Sequence, residues 1–174
     1  MSNFWSTFAR KFKIRIMTKE ELQSFLPQNP QRLQQVEEPK RQQLVQVSYE
    51  VVGCIHEVYK QLGGGLPEYI YQEALAKQLK LKGLTFHKEL QYHPLFNGEP
   101  LEAFLKMDLV VESPIGNIII ECKALTQLTE KEHYQTFGYL RATGWPIAIL
   151  VNFGTERRAQ IERFYFDRDT LYVF

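Results

Sequence analysis

The sequence predicts an α/β fold: a mixed β-sheet flanked by helices, with the element order ααβββαβ(β). Three observations carry this. Two segments after residue 47 repeat apolar residues at helical spacing. Three segments between 84 and 125 alternate or run apolar and are separated by turn residues. A further helical segment then leads into IAILVNF at 147–153, apolar on both faces as a buried strand should be.

The elements follow in order. SYEVVGCIHEVYKQLG places Val51, Ile55, Val58, Tyr59 and Leu62 on one helical stripe, with Ser48 as N-cap and the glycines at 63–65 as the stop. A second helix starts near Pro67, turns Ile70, Ala74, Leu75 and Leu79 inward and ends at Gly83. Strands are expected at 84–96 and 101–112, joined by a turn at 97–100 that carries the Asn-Gly signal. SPIG at 113–116 turns the chain into a third strand at 117–125. A helix covers 130–143, ending before Gly144 and Pro146. The strand at 147–153 follows, then one at 158–166 and a short tail.

A length of 174 residues suits one domain plus an extension. The extension is drawn at residues 1–46, rich in Gln and interrupted by Pro27, Pro30 and Pro39. Within it, Thr18 and Glu21 could cap a short helix at 18–25. The domain is drawn at 47–174. Net charge is +1, but it divides unevenly. The extension holds eight Lys/Arg against four Asp/Glu, and the remainder 13 against 16. A nucleic acid would therefore meet positive potential only in a local groove or at the extension. The extension is also the candidate surface for a second copy or a protein partner.

No apolar run is long enough to span a bilayer, so no membrane role is expected. The acid-free first nineteen residues are poor in Ser and run straight into acidic residues, which argues against a transit peptide. Cys54 and Cys122 stand far apart, too few for a disulfide framework. They are read as reduced thiols, and the location as cytoplasmic.

The segment that carries chemistry is MDLVVESPIGNIIIECKA, 107–124. A four-residue turn at 113–116 sets Val111 opposite Ile118, Val110 opposite Ile119, Leu109 opposite Ile120, and so Asp108 opposite Glu121. Directly opposed residues have Cβ atoms about 4.5–5.5 Å apart. Two carboxylates that close repel unless a cation or a shared proton intervenes. Lys123 follows Glu121 by two and shares its face of the strand. Such a patch suits a hard divalent cation with oxygen ligands, Mg²⁺ or Mn²⁺. The Cys122 carbonyl, between the two charged side chains, is a further candidate ligand. The same charges would also suit a solvated strand end, and a one-residue slip would put the acids on opposite faces.

Asp108 and Glu121-Cys122-Lys123 resemble the D…ExK signature of the PD-(D/E)xK nuclease superfamily. The run from Gly65 through Glu68 to Tyr71 resembles the GxxExxY motif that names a bacterial family within it. His133-Tyr134-Gln135, Tyr139-Leu140 and Asn152-Phe153-Gly154 resemble that family's downstream elements. The likeness covers about 48–166. It implies a restriction-endonuclease-like core and a Mg²⁺-dependent nuclease that hydrolyses phosphodiester bonds of DNA or RNA. It implies Asp108, Glu121, Lys123 and Gln135 as catalytic residues. Glu68, Asp108, Glu121 and Cys122 become metal ligands, and Tyr139 a substrate contact. The alternative is a catalytically silent nuclease-fold module that binds nucleic acid or protein. Met107 and Gln78 depart from the family pattern without removing a ligand.

Other residues take structural readings. Tyr71 is expected in the core, and His133 on a helix surface. His56, His87 and His93 lack zinc-ligand spacing. The three glycines at 63–65 lack the context of a phosphate loop.

Overall fold

The computed structural model describes residues 36–167 and 170–173. Residues 1–35 of the expected arm, with the helix expected at 18–25, lie outside them. The first helix, α1 (Lys40–Leu62), starts eight residues before Ser48. The Glu38 carboxylate accepts from the Gln42 amide (3.3 Å) and from the Arg41 guanidinium, which serves the open first turn. Leu44 extends the apolar stripe one turn upstream and is fully buried. Ser48 is therefore not the N-cap. It is buried mid-helix, donating to the Val45 carbonyl (3.1 Å) and accepting from Arg163 (3.2 Å). The boundary drawn at 46/47 falls inside this helix.

Helix α2 (Glu68–Leu81) starts one residue after Pro67, whose fixed φ of −59° leads into the first turn. It buries Tyr71, Leu75 and Leu79, while Ile70 and Ala74 are half-buried. Strand β1 (Phe86–Tyr92) pairs antiparallel with β4 (Leu105–Val111). Between them β2 (Leu95–Phe96) and β3 (Glu99–Pro100) form a separate small hairpin. Its Asn97 and Gly98 both have positive φ, as the Asn-Gly signal requires. The long strand expected at 84–96 is thus interrupted around Pro94, which cannot donate to a ladder, and the one expected at 101–112 is shortened to Leu105–Val111.

Strand β5 (Ile118–Lys123) pairs antiparallel with β4 in the expected register, Val111↔Ile118 through Leu109↔Ile120. Helix α3 (Glu130–Thr143) begins at a capping box of Thr129 and Glu132 and stops at Gly144, φ 67°. The chain crosses back to β6 (Ile147–Asn152), parallel to β5 and buried along its whole length. Strand β7 (Gln160–Asp167) and a further strand, β8 (Thr170–Val173), complete the six-stranded sheet, order β1-β4-β5-β6-β7-β8. The segment expected as a tail is β8, which buries the alternating Leu171 and Val173.

The sheet is the middle of three layers. One core, with Val51, Ile55, Leu75, Ile120 and Val151, lies under α1 and α2. The other, with Val110, Ile119, Leu140, Leu150 and Phe164, lies under α3. Among the described residues no helix is long and apolar enough to cross a membrane.

Leu44 gives a direct test of where the folded unit starts. Leu44→Ala is expected to cost about 2–5 kcal/mol in urea denaturation, whereas Leu81→Ala, at a site 81% exposed, should stay within about 0.5 kcal/mol. Equal, negligible losses would place residues 40–46 outside the cooperative fold.

Candidate metal centre

Among the described strands only β5 and β6 run parallel, so their C-terminal ends open on the same edge of the sheet. Such edges leave room for ligands outside the strand ends. The loop before α2 reaches the same place. A Cβ on Gly64 would stand 2.5 Å from the Thr155 carbonyl oxygen. Tyr71 locks that loop, donating to the Gly63 carbonyl (2.8 Å), accepting from the Leu66 amide (3.1 Å) and stacking on Phe153 at 4.5 Å.

Asp108 sits where the side-chain alternation breaks. Val111 and Leu109 face the core under α1 and α2, but Met107 faces the core under α3. On β1, Phe86 and Leu90 show the same reversal. The break coincides with the pair Glu89 and Asp108, missing from an otherwise continuous ladder. Glu89 there has φ 54°. The β4–β5 ladder also ends short of Asp108 and Glu121. In place of a backbone pair, Asp108 Oδ2 accepts from the Cys122 amide at 2.8 Å.

Glu121 is 2% exposed, and its Oε1 accepts from Lys123 Nζ at 2.7 Å. Its Oε2 is buried and has no hydrogen-bond partner among the described residues. Burial and the Asp108 charge push its pKa up to about 8, with Lys123 opposing. Burial also raises Asp108, against the Cys122 amide, Lys123 and Gln72. Burial works against the Lys123 cation, yet Glu121, Glu68 and Asp108 together carry its pKa upward.

Glu68, in the first turn of α2, is raised by burial, and the Ala124 amide donates to it. Gln72 bridges the two elements. Its Nε2 donates to Glu68 Oε1 (3.3 Å), and its side chain also hydrogen-bonds Asp108. Gln72 was not singled out from the sequence. Its spacing of four from Glu68, one helical turn, is the signal that could have found it.

Gln135 and Tyr139 come together as a pair, Gln135 Nε2 donating to the Tyr139 hydroxyl at 2.8 Å. That hydroxyl donates to the Lys106 carbonyl at 2.9 Å, two residues before Asp108. Tyr139 is 7% exposed, and burial and the Glu121 charge push its pKa up to about 12. It braces the strand that carries Asp108 more directly than it faces solvent. His133 is buried, not a surface residue. Its Nε2 meets Glu162 Oε2 at 2.6 Å and its Nδ1 donates to the Thr129 carbonyl at 2.8 Å. Asn152 exchanges hydrogen bonds with the amide and carbonyl of Leu125 (2.9 and 2.8 Å), holding the loop after Lys123.

Among the described residues, no three His, Cys, Asp or Glu side chains close on one point tightly enough to hold an ion by themselves. The donor set still fits a hard cation. Glu121 Oε2 lacks a partner, and Asp108 lies close enough to raise the Glu121 pKa. A strand residue points its N–H and C=O to the same side, and the Cys122 N–H points at Asp108. Its carbonyl is directed the same way, where the β4 ladder has ended. Mg²⁺ characteristically takes one or two carboxylates and keeps several waters.

A helix-flanked mixed sheet carrying an Asp and a Glu-x-Lys at its parallel edge defines a nuclease-type α/β domain. The chain belongs to the PD-(D/E)XK nuclease superfamily, whose family model matches residues 45–164. The crystal structure of SSO0001 is similar at a TM-score of 0.40 and 19% identity, over 75% of this chain and 63% of that one. Among curated proteins, none matches the sequence.

The buried acid makes a pH prediction for the metal-free protein. Between the ordinary glutamate value of 4.5 and about 8, native Glu121 holds a proton that the unfolded chain has released. Raising pH through that window therefore destabilises the fold. Thermal melts in chelator should fall as pH rises towards 8, and Glu121→Gln should flatten that fall. The same slope in wild type and variant would remove Glu121 as its source.

Proposed function

We propose that this chain is a Mg²⁺- or Mn²⁺-dependent nuclease that hydrolyses phosphodiester bonds of DNA or RNA. The observation that carries it is the buried Glu121 carboxylate, with one oxygen on Lys123, the other unpartnered, and Asp108 beside it. The superfamily match supports the class of reaction. The run from Gly65 through Glu68 to Tyr71 supports a place within the GxxExxY branch.

Asp108, Glu121 and the Cys122 carbonyl would hold the cation, with Glu68 as a neighbouring acid. Bound there, a divalent cation supplies Lewis-acid charge and lowers the pKa of a water. Lys123 keeps its proton through Glu121, so it can orient a nucleophilic water or offset charge on a phosphate oxygen. Gln72 fixes Asp108 against Glu68. Tyr139, with Gln135 on its hydroxyl, braces the Lys106 carbonyl. The alternative, a silent module of the same fold, is favoured by the excess of acids over bases beyond residue 46.

Two measurements separate the readings. Labelled single-stranded and duplex substrates incubated with Mn²⁺ should be cleaved, and Asp108→Ala or Lys123→Ala should reduce the rate by about 10²–10³-fold. Calorimetric titration should show saturable Mn²⁺ binding that Glu121→Gln removes. Cleavage that survives both alanine variants belongs to a contaminant and ends this reading. Folded protein that takes up no metal favours the silent module.

A further inference from the structure

A groove of about 1090 Å³ runs between the outer face of α1 and the loop joining β6 to β7. Arg157, Arg158 and Arg163 line it, and Glu156 is the single acid on its walls. Arg157 and Arg158 are exposed and form no ion pair with any described residue. In a body where acids outnumber bases, this is a local positive surface. Tyr49 stands on the opposite wall, 72% exposed. An exposed aromatic facing arginines suits an unpaired base on the ring and phosphates on the guanidinium groups.

The groove also adjoins the metal centre. Thr126 borders it and follows Lys123 by three residues, so the two Cα atoms are at most about 11 Å apart. A strand advancing ~3.4 Å or more per nucleotide covers that distance in about three nucleotides. We propose that this groove binds a single strand of nucleic acid, with Arg157 and Arg158 on its phosphates and Tyr49 stacked on a base. This rests on the nuclease reading for its substrate class, but it makes a separate claim about binding.

The test is fluorescence anisotropy of labelled oligo(dT) with the full chain, in chelator so that nothing is cleaved. The double variant Arg157→Ala/Arg158→Ala should lose roughly tenfold in affinity at 0.1 M salt, with the salt slope reduced by about 1.4. Tyr49→Ala should lose roughly tenfold, and Tyr49→Phe should bind like wild type. Lys60→Ala/Lys80→Ala removes equal charge elsewhere and should change little.

Three outcomes overturn the proposal: no binding by wild type, equal losses in the groove and control variants, or full affinity in Tyr49→Ala. Wild type that cleaves while the groove variants bind normally would leave the nuclease reading standing and remove this one. Groove-dependent binding by a protein that never cleaves would do the reverse.

Discussion

The Glu121 carboxylate, 2% exposed and close to Asp108, is the interaction the rest of the domain has to accommodate. A carboxyl group out of water is expensive unless it is paired, hydrogen-bonded or protonated. Lys123 pairs one oxygen, and the other has nothing. The arrangement persists because the strands beneath it have no alternative. β6 buries all six of its side chains and β5 five of six. Shifting either to relieve the acids would move apolar side chains out of two cores at once. A site held this way on rigid strands keeps its donors in place whether or not a cation is bound.

The second constraint is the loops that frame the site. Asn152 fixes the Leu125 backbone through its amide group, and its Oδ1 also accepts from Gly154 N at 3.0 Å. Gly154 itself is required by space, since a Cβ there would lie 2.3 Å from the Leu125 carbonyl oxygen. Phe153, between them, carries the ring on which Tyr71 stacks. The motif letters around Tyr71 and around Asn152 therefore describe one structural lock. It ties the loop before α2 to the loops after β5 and β6. Glu68 reaches the site because Tyr71, on the next turn of the same helix, is anchored there.

What was legible in the sequence follows from what is local. The short turn at 113–116 fixes which residues oppose each other, and the ladder from Val111 to Leu109 keeps that register. The end of α3 was equally readable, because Gly144 and Pro146 punctuate it. The reversal of faces at Asp108 was not. It coincides with a positive φ at Glu89 of another strand, and nothing in the glutamate's identity asks for that. Counting by twos through Asp108 gives the right neighbour and the wrong contact, since the carboxylate meets the Cys122 amide. Ser48 misled for a different reason. It has the chemistry of a cap, but Leu44 had to be counted into the stripe to see that the helix was already under way. His133 looked like a surface residue because its partner, Glu162, is 29 residues away on β7.

The electrostatics of the domain favour a division of labour between site and surroundings. Without a cation, and even with a proton on Glu121, the Asp108 and Glu68 carboxylates outnumber the one lysine, so a phosphate approaching them would meet net negative charge. The attraction that brings a polyanion near has to come from beside the site, not from within it. The groove that the β6–β7 arginines line begins at Thr126, three residues after Lys123. The Debye length is ~10 Å at 0.1 M salt, comparable with the reach from Lys123 to the groove's edge. Against three carboxylates and one lysine, a divalent cation in the site would cancel the local negative charge, so that a phosphate leaving the groove would no longer be repelled. On the proposed reading, a basic groove and an acidic site on adjoining loops would let one nearly neutral protein attract a polyanion while keeping the carboxylates a metal needs.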